Sequence, residues 1–180
     1  MTGLERVCDN ASVGALIIDA DGSALTFRRA TVPAGIAGPA GHIDGHGEAI
    51  DALVAEVREE VGLRVRTASL LKVEWRPGSC RRLPGPGGIG HLWSLYSVQV
   101  DGELSPSARE TRDTRWRTGA ELQQLAERTV AYARGRVSAA QFAVVPGVEP
   151  VWARWFDMAG LIALTAGDLS AIEDLLRSTS

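Results

Sequence analysis

Residues 38–63 have the sequence GPAGHIDGHGEAIDALVAEVREEVGL, in which a loop rich in glycine is followed by a segment with helical periodicity. From Glu48 to Val61, apolar residues recur at the spacing of an amphipathic helix. The predicted core stripe of this helix comprises Ile50, Leu53, Val54, Val57 and Val61. Gly62 follows directly and can end the helix in the left-handed conformation.

Glu56, Glu59 and Glu60 lie together on a second face of this helix, because spacings of three and four residues bring side chains to neighbouring positions. Carboxylates at these spacings repel one another, and a divalent cation would relieve the repulsion by taking oxygen ligands. A solvated acidic surface is the simpler interpretation of the helix alone. The preceding loop, whose glycines let the backbone approach a phosphate, favours a site for a metal and a phosphate.

The loop, the helix and Gly62 together resemble the Nudix box, GX5EX7REUXEEXGU, in which U is a bulky apolar residue. The matching positions are Gly41, Glu56, Val57, Glu59, Glu60, Gly62 and Leu63. Two positions depart from the pattern. Gly47 stands where the box has Glu, with Glu48 one residue late, and Ala55 stands where it has Arg. The resemblance implies that this Glu and this Arg commonly form an ion pair that braces the loop against the helix. The resemblance extends over about residues 12–131 and implies a metal-dependent hydrolase of diphosphate compounds.

The resemblance also implies roles for individual residues. By position, Glu59 and Glu60 would be the principal metal ligands, and Glu56 would be a ligand or the base that activates water. The backbone carbonyl of Ala40 is a further implied ligand. The implied cofactor is Mg²⁺ or Mn²⁺, both of which favour oxygen donors.

Members of the family often draw another acidic residue from a later loop, and here Glu110 is preferred over Asp113. The implied catalytic residues are therefore Glu56, Glu59, Glu60 and Glu110. The expected reaction is the attack of water on one phosphorus of a nucleoside diphosphate linked to another moiety, as in a nucleotide or a nucleotide-sugar. A bound metal would neutralise phosphate charge and lower the pKa of the attacking water.

Arg76, Arg81 and Arg82 lie in or beside a long loop, residues 77–90, between two predicted strands. Arginine can bind phosphate oxygens in a bidentate manner, which predicts a role in substrate binding. A solvated loop is an equally good interpretation of the same residues. The predicted substrate-binding set is completed by Arg29, Gly41 and His42.

The cysteines and histidines indicate no second metal site in the sequence. Cys8 and Cys80 form no CxxC motif, and the spacing of His42, His46 and His91 matches no zinc-ligand pattern. Solvent-facing loop histidines are the simpler interpretation of His42 and His46. Cys80 is interpreted as a structural or incidental thiol, because no base is paired with it in the sequence.

Apolar alternation predicts strands at residues 12–19, 23–29, 65–75, 91–101 and 113–117. The first two are expected to form a hairpin. Helices are predicted at residues 48–61, 119–131, 150–164 and 167–177, whereas residues 134–148 give no clear pattern. These elements predict an α/β (α+β) fold, with a Nudix-type mixed β-sheet sandwiched between helices and a C-terminal helical extension.

The predicted organisation is a Nudix domain at residues 1–135 and a helical extension at residues 136–180 that packs on the same domain. The extension carries an aromatic and aliphatic stripe at roughly helical spacing. Its members are Trp152, Trp155, Phe156, Leu161 and Ile162. This stripe would pack on the domain or on a second subunit, which leaves a homodimer open.

The 180 residues include 45% apolar residues, two cysteines and a formal net charge of −3, typical of one globular domain with a modest extension. This charge gives no electrostatic basis for binding nucleic acid. The sequence has no run of about 18 apolar residues, so no membrane span is predicted, and the N-terminus lacks the character of a signal peptide. We therefore expect a cytoplasmic protein with a small-molecule diphosphate as its partner, and neither nucleic acid nor membrane.

Two other functions remain open. A Nudix scaffold that senses a nucleotide-sugar or another ligand without hydrolysing it would explain the departures at Gly47 and Ala55. The intact segment at residues 59–62 argues against that alternative, because a sensor need not keep a patch of several carboxylates. An isomerase acting on an isoprenoid diphosphate is a third possibility within the superfamily, and Cys80 is its sole support.

Overall fold

The computed structural model describes residues 6–78, 80 and 82–178. The strands are β1 (Ala11–Ile17), β2 (Ala24–Arg29), β3 (Ile36–Ala37), β4 (Ala40–His42), β5 (Arg64–Pro77), β6 (Gly90–Asp101) and β7 (Thr111–Arg117). The helices are α1 (Ala49–Val61), α2 (Gly119–Ala133), α3 (Ala139–Val144), α4 (Pro150–Met158) and α5 (Ala166–Ser178), and a single 3₁₀ turn covers Asp44–His46. The predicted α+β class is confirmed.

Two sheets form the centre of the molecule. The larger sheet has the strand order β4-β1-β6-β5, in which β1 runs parallel to β6 and the other pairs are antiparallel. The smaller, antiparallel sheet has the order β3-β2-β7. The larger sheet is mixed, as predicted, whereas the division into two sheets was not anticipated.

The predicted hairpin of the first two strands is wrong. Strands β1 and β2 belong to different sheets and share a single isolated bridge, between Ile18 and Ala24. The physical reason is that β1 lies between β4 and β6, so that both of its edges are already paired. Strand β2 must therefore find its hydrogen bonds with β3 and β7.

Helix α1 buries a different face from the predicted stripe. Leu53, Val57 and Val61 are buried as predicted, but Ile50 and Val54 are 37% and 42% exposed. The buried positions also include Ala52 and Glu60. The small side chain of Ala52 lets this side of the helix pack closely in the core, and Glu60 lies on the same side.

The aromatic stripe of the C-terminal segment packs inside its own chain. Trp152, Trp155 and Phe156 are at most 1% exposed and share one buried cluster with Leu16 and Leu95 of the larger sheet. A homodimer stays a prediction, and this stripe no longer supports it. The boundary between residues 1–135 and 136–180 stays a prediction as well. Among the described residues, no helix is both long and apolar enough to cross a membrane.

Candidate active site

A cavity of about 760 Å³ opens beside the buried face of α1. Part of the cavity wall is acidic: it is formed by Glu56, Glu60 and Glu110, together with Ala40 and Gly41. The lining also includes the aromatic residues Tyr132 and Phe142, whose rings stack with centroids 4.5 Å apart. The cavity is therefore lined by both acidic and aromatic side chains.

Glu60 is the most deeply placed of the three box glutamates. It is 8% exposed, and its Oε2 accepts a hydrogen bond of 2.9 Å from the backbone N–H of Ala40. This bond joins α1 to β4 and fixes the carboxylate against the glycine-rich loop. Burial raises the pKa of the Glu60 carboxyl to about 8, although the Ala40 N–H acts in the opposite direction.

Glu56 lies against Gly41, the first glycine of the box. A Cβ atom at position 41 would come within 1.7 Å of Glu56 Oε1, so the absence of a side chain there is what lets the carboxylate approach the loop backbone. Burial, followed by the charge of Glu59, raises the pKa of Glu56 to about 7. Glu59 itself is exposed and lies outside the cavity lining.

The later-loop candidates behave differently from each other. Glu110 lines the cavity, and its charge acts on both Glu56 and Glu60. Asp113 instead pairs with Arg117, with 2.6 Å between Oδ2 and the guanidinium, on a side chain that is 59% exposed. The structure therefore places Glu110, the preferred candidate, with the acidic cluster.

Arg29 lies at the end of β2 and lines the same cavity. Its Nε is buried and has no hydrogen-bond partner among the described residues. Its positive charge favours the ionised forms of Glu56 and Glu60. A buried guanidinium with an unused donor at the edge of an acidic site is suited to a phosphate oxygen.

The loop arginines are not all brought to the cavity. Arg76 is 7% exposed and pairs with Glu173 and, at 3.5 Å, with Glu74, so its position does not favour the predicted contact with substrate. Arg82 lines the cavity but forms a bidentate pair with Asp44, with 2.7 Å between Nη2 and Oδ2. Arg81 lies outside the described residues.

One of the two departures from the box, Gly47, has a local explanation. Gly47 has a φ of +93°, which a glutamate side chain would rarely adopt. The N–H of Glu48 is instead satisfied by Asp51 Oδ2 at 3.2 Å, three residues into the helix start. The Asp44–Arg82 pair ties the loop to the β5–β6 connection, where the box ion pair would have tied it to α1.

Two features of the cavity wall were missed from the sequence. Glu149 is 4% exposed and lines the cavity at the start of α4; burial raises its pKa, and the charge of Arg29 and the backbone of Val151 and Trp152 oppose this effect. Pro150 marks the start of this helix in the sequence, but no sequence pattern places Glu149 beside the acidic residues.

The second missed feature is a group of thiol and imidazole side chains. Cys80 has no base paired with it in the sequence, but in the structure His42 Nε2 lies 3.3 Å from its sulfur. Cys8 and His91 complete the group.

Comparison with known proteins found one matching family model and similar solved structures. A family model described as NUDIX domain matches residues 9–140. Among solved structures, a MutT NUDIX hydrolase from Burkholderia pseudomallei is 22% identical, with 62% of this chain and 83% of that chain covered and a TM-score of 0.49. A NUDIX hydrolase from Nitrosomonas europaea is 22% identical, with 64% and 76% covered and the same TM-score of 0.49. The comparison with curated proteins found no match.

Proposed function

The chain belongs to the NUDIX domain family, and from this premise we propose that it is a Mg²⁺- or Mn²⁺-dependent hydrolase that cleaves a diphosphate linkage. The proposed substrate is a nucleoside diphosphate linked to another moiety. The observation that carries the proposal is the convergence of Glu56, Glu60 and Glu110 on one cavity, beside the backbone of Gly41 and the guanidinium of Arg29.

The acidic residues of the cavity lining fit a divalent cation that prefers oxygen donors. Glu56, Glu60 and Glu110 offer carboxylate oxygens, and the carbonyl of Ala40 is the proposed backbone ligand. Burial and mutual repulsion raise the pKa of Glu56 and Glu60, and Arg29 offsets these effects in part. A cation bound between these carboxylates would favour their ionised forms.

When bound, the cation would neutralise phosphate charge and lower the pKa of the attacking water. The chain itself supplies position. The Ala40 N–H holds one oxygen of Glu60, and Gly41 lets Glu56 lie against the loop. We assign Glu56 as a ligand or as the base that takes the proton of water, with Glu59 as an outer ligand. Arg29 would hold a phosphate oxygen, and His42 would contact the substrate from the part of its ring that does not face Cys80.

The cavity lining supports a substrate of mixed character. Tyr132 is half-buried and would offer its ring to a base or another ring, whereas Phe142 is 3% exposed and stacks on Tyr132. The acidic side chains, together with Arg29, suit a metal-bound diphosphate. A nucleotide or a nucleotide-sugar carries both parts, and the cavity volume of about 760 Å³ is of the size that holds such a ligand.

The test is a panel of nucleoside triphosphates, dinucleotides and nucleotide-sugars, each incubated with Mg²⁺ or Mn²⁺ and scored for released phosphate and nucleotide. We expect cleavage between two phosphorus atoms of at least one compound and loss of that activity when the cation is chelated. Glu103→Gln is the matched control for changes in the acidic cluster, because Glu103 is exposed and lies outside the cavity lining.

A non-catalytic ligand-binding module is the second candidate, favoured by Gly47 and Ala55 at the box positions of Glu and Arg. Calorimetry separates the two functions. Tight binding of a panel compound with no product, at either metal, would overturn the hydrolase in favour of the sensor. The cytoplasmic location remains part of the proposal and is tested by fractionating cells that produce the protein.

A further inference from the structure

Four side chains that can bind a soft metal ion come together at the cavity, and all of them except Cys8 belong to its lining. They are Cys8, His42, Cys80 and His91, and one donor atom from each lies within 4.8 Å of all the others. Two thiol–imidazole contacts already exist, with 3.1 Å between Cys8 Sγ and His91 Nε2 and 3.3 Å between Cys80 Sγ and His42 Nε2.

The fold explains why these residues meet. Strand β1 lies between β4 and β6, where Ser12 of β1 pairs with His42 and Ala11 pairs with the neighbour of His91. Cys8 immediately precedes β1. Its backbone N–H donates to Leu83 O at 2.8 Å, which brings the β5–β6 connection and Cys80 to the same point.

The donor atoms are near the spacing of a tetrahedral zinc site. Zinc–sulfur and zinc–nitrogen bonds of ordinary length place neighbouring donors about 3.3–3.8 Å apart. The contact of 3.3 Å lies at the lower limit of this range and that of 3.1 Å just below it, whereas separations of up to 4.8 Å within the group would have to contract by about 1 Å on binding. Two sulfurs with two imidazole nitrogens are a donor set that zinc prefers.

An independent observation concerns the sulfurs. Each accepts a hydrogen bond from the backbone N–H two residues later: Asn10 N donates to Cys8 Sγ at 3.3 Å and Arg82 N donates to Cys80 Sγ at 3.4 Å. Each sulfur is therefore oriented by the backbone of its own segment, in the same way at two positions that are far apart in the chain.

The surrounding chain holds the site in place. The Asn10 side chain donates to Gly88 O at 2.8 Å and to Gly90 O at 2.7 Å, and it accepts from Gly87 N at 2.9 Å. These bonds fasten the end of the β5–β6 connection to the segment that carries Cys8. The donors are therefore held by backbone that is ordered through its own hydrogen bonds, as a pre-organised metal site requires.

We propose that Cys8, His42, Cys80 and His91 bind one zinc ion. Four protein donors leave no open position, so the ion is structural and its chemistry is separate from that of the carboxylate cluster. It links the N-terminal segment, the glycine-rich loop and the β5–β6 connection. These are the loop and the connection that the Asp44–Arg82 pair also joins, so zinc takes over part of the bracing that the box ion pair would provide.

The test begins with protein purified under reducing conditions, without chelator and after removal of any affinity tag. Elemental analysis is expected to find about one zinc per chain. Cobalt substitution of the same protein is expected to give the visible absorption of tetrahedral Co²⁺ and a sulfur-to-metal charge-transfer band. That band requires thiolate ligands, so carboxylate-bound cobalt would not produce it.

Variants locate the ion. Cys80→Ser changes a partly exposed residue and is expected to remove the zinc while the far-ultraviolet circular dichroism is retained. His91→Ala is expected to lose the ion as well. His46→Ala is the matched control, because His46 is the third of the three histidines and is exposed. The double variant Glu56→Gln/Glu60→Gln is expected to keep its zinc.

Three results would overturn the proposal. The first is metal-free wild-type protein that stays free of zinc after incubation with an equimolar amount. The second is a Cys8–Cys80 disulfide in protein isolated from the cell with thiols blocked at lysis. The third is zinc that remains in Cys80→Ser and His91→Ala but disappears from the double glutamate variant. The first two results do not bear on diphosphate cleavage, and the third would assign the zinc to the carboxylate site without excluding cleavage there, so the two proposals fail on different observations.

Discussion

The acidic face of α1 lies close to the Cys/His cluster, which is defined as Cys8, His42, Cys80 and His91, and both regions contribute to the same cavity. They differ in the type of donor atom and in how many segments of the chain supply it. The acidic face offers hard oxygen donors, and its box residues come from one helix. The cluster offers sulfur and nitrogen donors from four separate segments. Because donor type selects the metal, the comparison indicates two neighbouring sites with different ions and different tasks.

The difference concerns how each site is held. Glu56 and Glu60 are buried acids whose raised pKa values indicate that the fold alone does not favour their charge. The cluster is held by bonds to its sulfurs and by the Asn10 framework. We expect changes in the first region to act on turnover and changes in the second to act on stability.

The largest expected effect is that of Glu60→Gln. The amide oxygen can still accept the bond from Ala40, so the fold is expected to survive, but a charged ligand is lost. We expect kcat to fall by about 10²–10⁴-fold, the range typical of a lost acid–base or metal-binding group. Steady-state kinetics against Glu103→Gln measure the change. Turnover equal to that of the control would remove Glu60 from the site.

The same variant sharpens the comparison through a second measurement. Elemental analysis of Glu60→Gln is expected to find the zinc content of the wild type, because its ligands lie elsewhere. Loss of zinc together with turnover would mean that the two regions form one site.

The next largest effect is the thermal stability of zinc-free protein. Removing the ion from the Cys/His cluster, by Cys80→Ser or with a zinc-specific chelator, is expected to lower Tm by about 5–10 °C. Differential scanning fluorimetry with His46→Ala as control measures the shift. Mg²⁺ added to zinc-free protein is not expected to restore it, because hard cations bind thiolate and imidazole poorly. Full recovery with Mg²⁺ would break the distinction between the regions.

The two regions also explain what the sequence could predict. The spacing of Glu56, Glu59 and Glu60 is local, and one helical turn converts it directly into a shared face. The start and end of α1 were foreseen for the same reason. The Cys/His cluster depends on which strands are neighbours, and the order β4-β1-β6 is a property of the whole sheet that residue spacing does not contain.

Errors in the fold have the same origin. The hairpin of β1 and β2 failed because pairing partners are chosen by the complete sheets. Ile50 and Val54 were placed in the core because apolar character was counted without knowing that small Ala52 and the acidic Glu60 would face inward. Glu149 reaches the cavity because its neighbour Val148 forms a backbone bridge with Ile36 of β3. These two residues are 112 positions apart in the sequence, so residue spacing could not predict the contact.

A smaller effect is expected of Gly41→Ala. The added Cβ would overlap the far end of the Glu56 side chain, which can rotate away, so the change should displace a carboxylate without unfolding the loop. We expect kcat to fall about tenfold with little change in Tm, because a displaced catalytic group is sensitive to shifts of about 1 Å. Gly45→Ala is the matched control, since no described atom lies within 4 Å of a Cβ at that position. Equal kinetics in the two variants would contradict the proposed placement of Glu56.

The smallest effects test the contact between the two regions, the pair of Arg82 with Asp44. Its side chains are 19% and 27% exposed, and a single pair of this kind contributes about 1 kcal/mol or less. If the pair braces the loop, Arg82→Ala, Asp44→Asn and the double variant should each lower kcat/KM by a similar factor, about fivefold or less, because each breaks the same contact.

If Arg82 instead binds a substrate phosphate, Asp44→Asn releases it from its partner and should lower KM, whereas Arg82→Ala raises KM. We expect the first pattern, since the bidentate geometry already uses both terminal nitrogens of Arg82 on Asp44. Opposite changes in KM for the two single variants would assign Arg82 to the substrate and leave zinc as the brace between the loop and the β5–β6 connection.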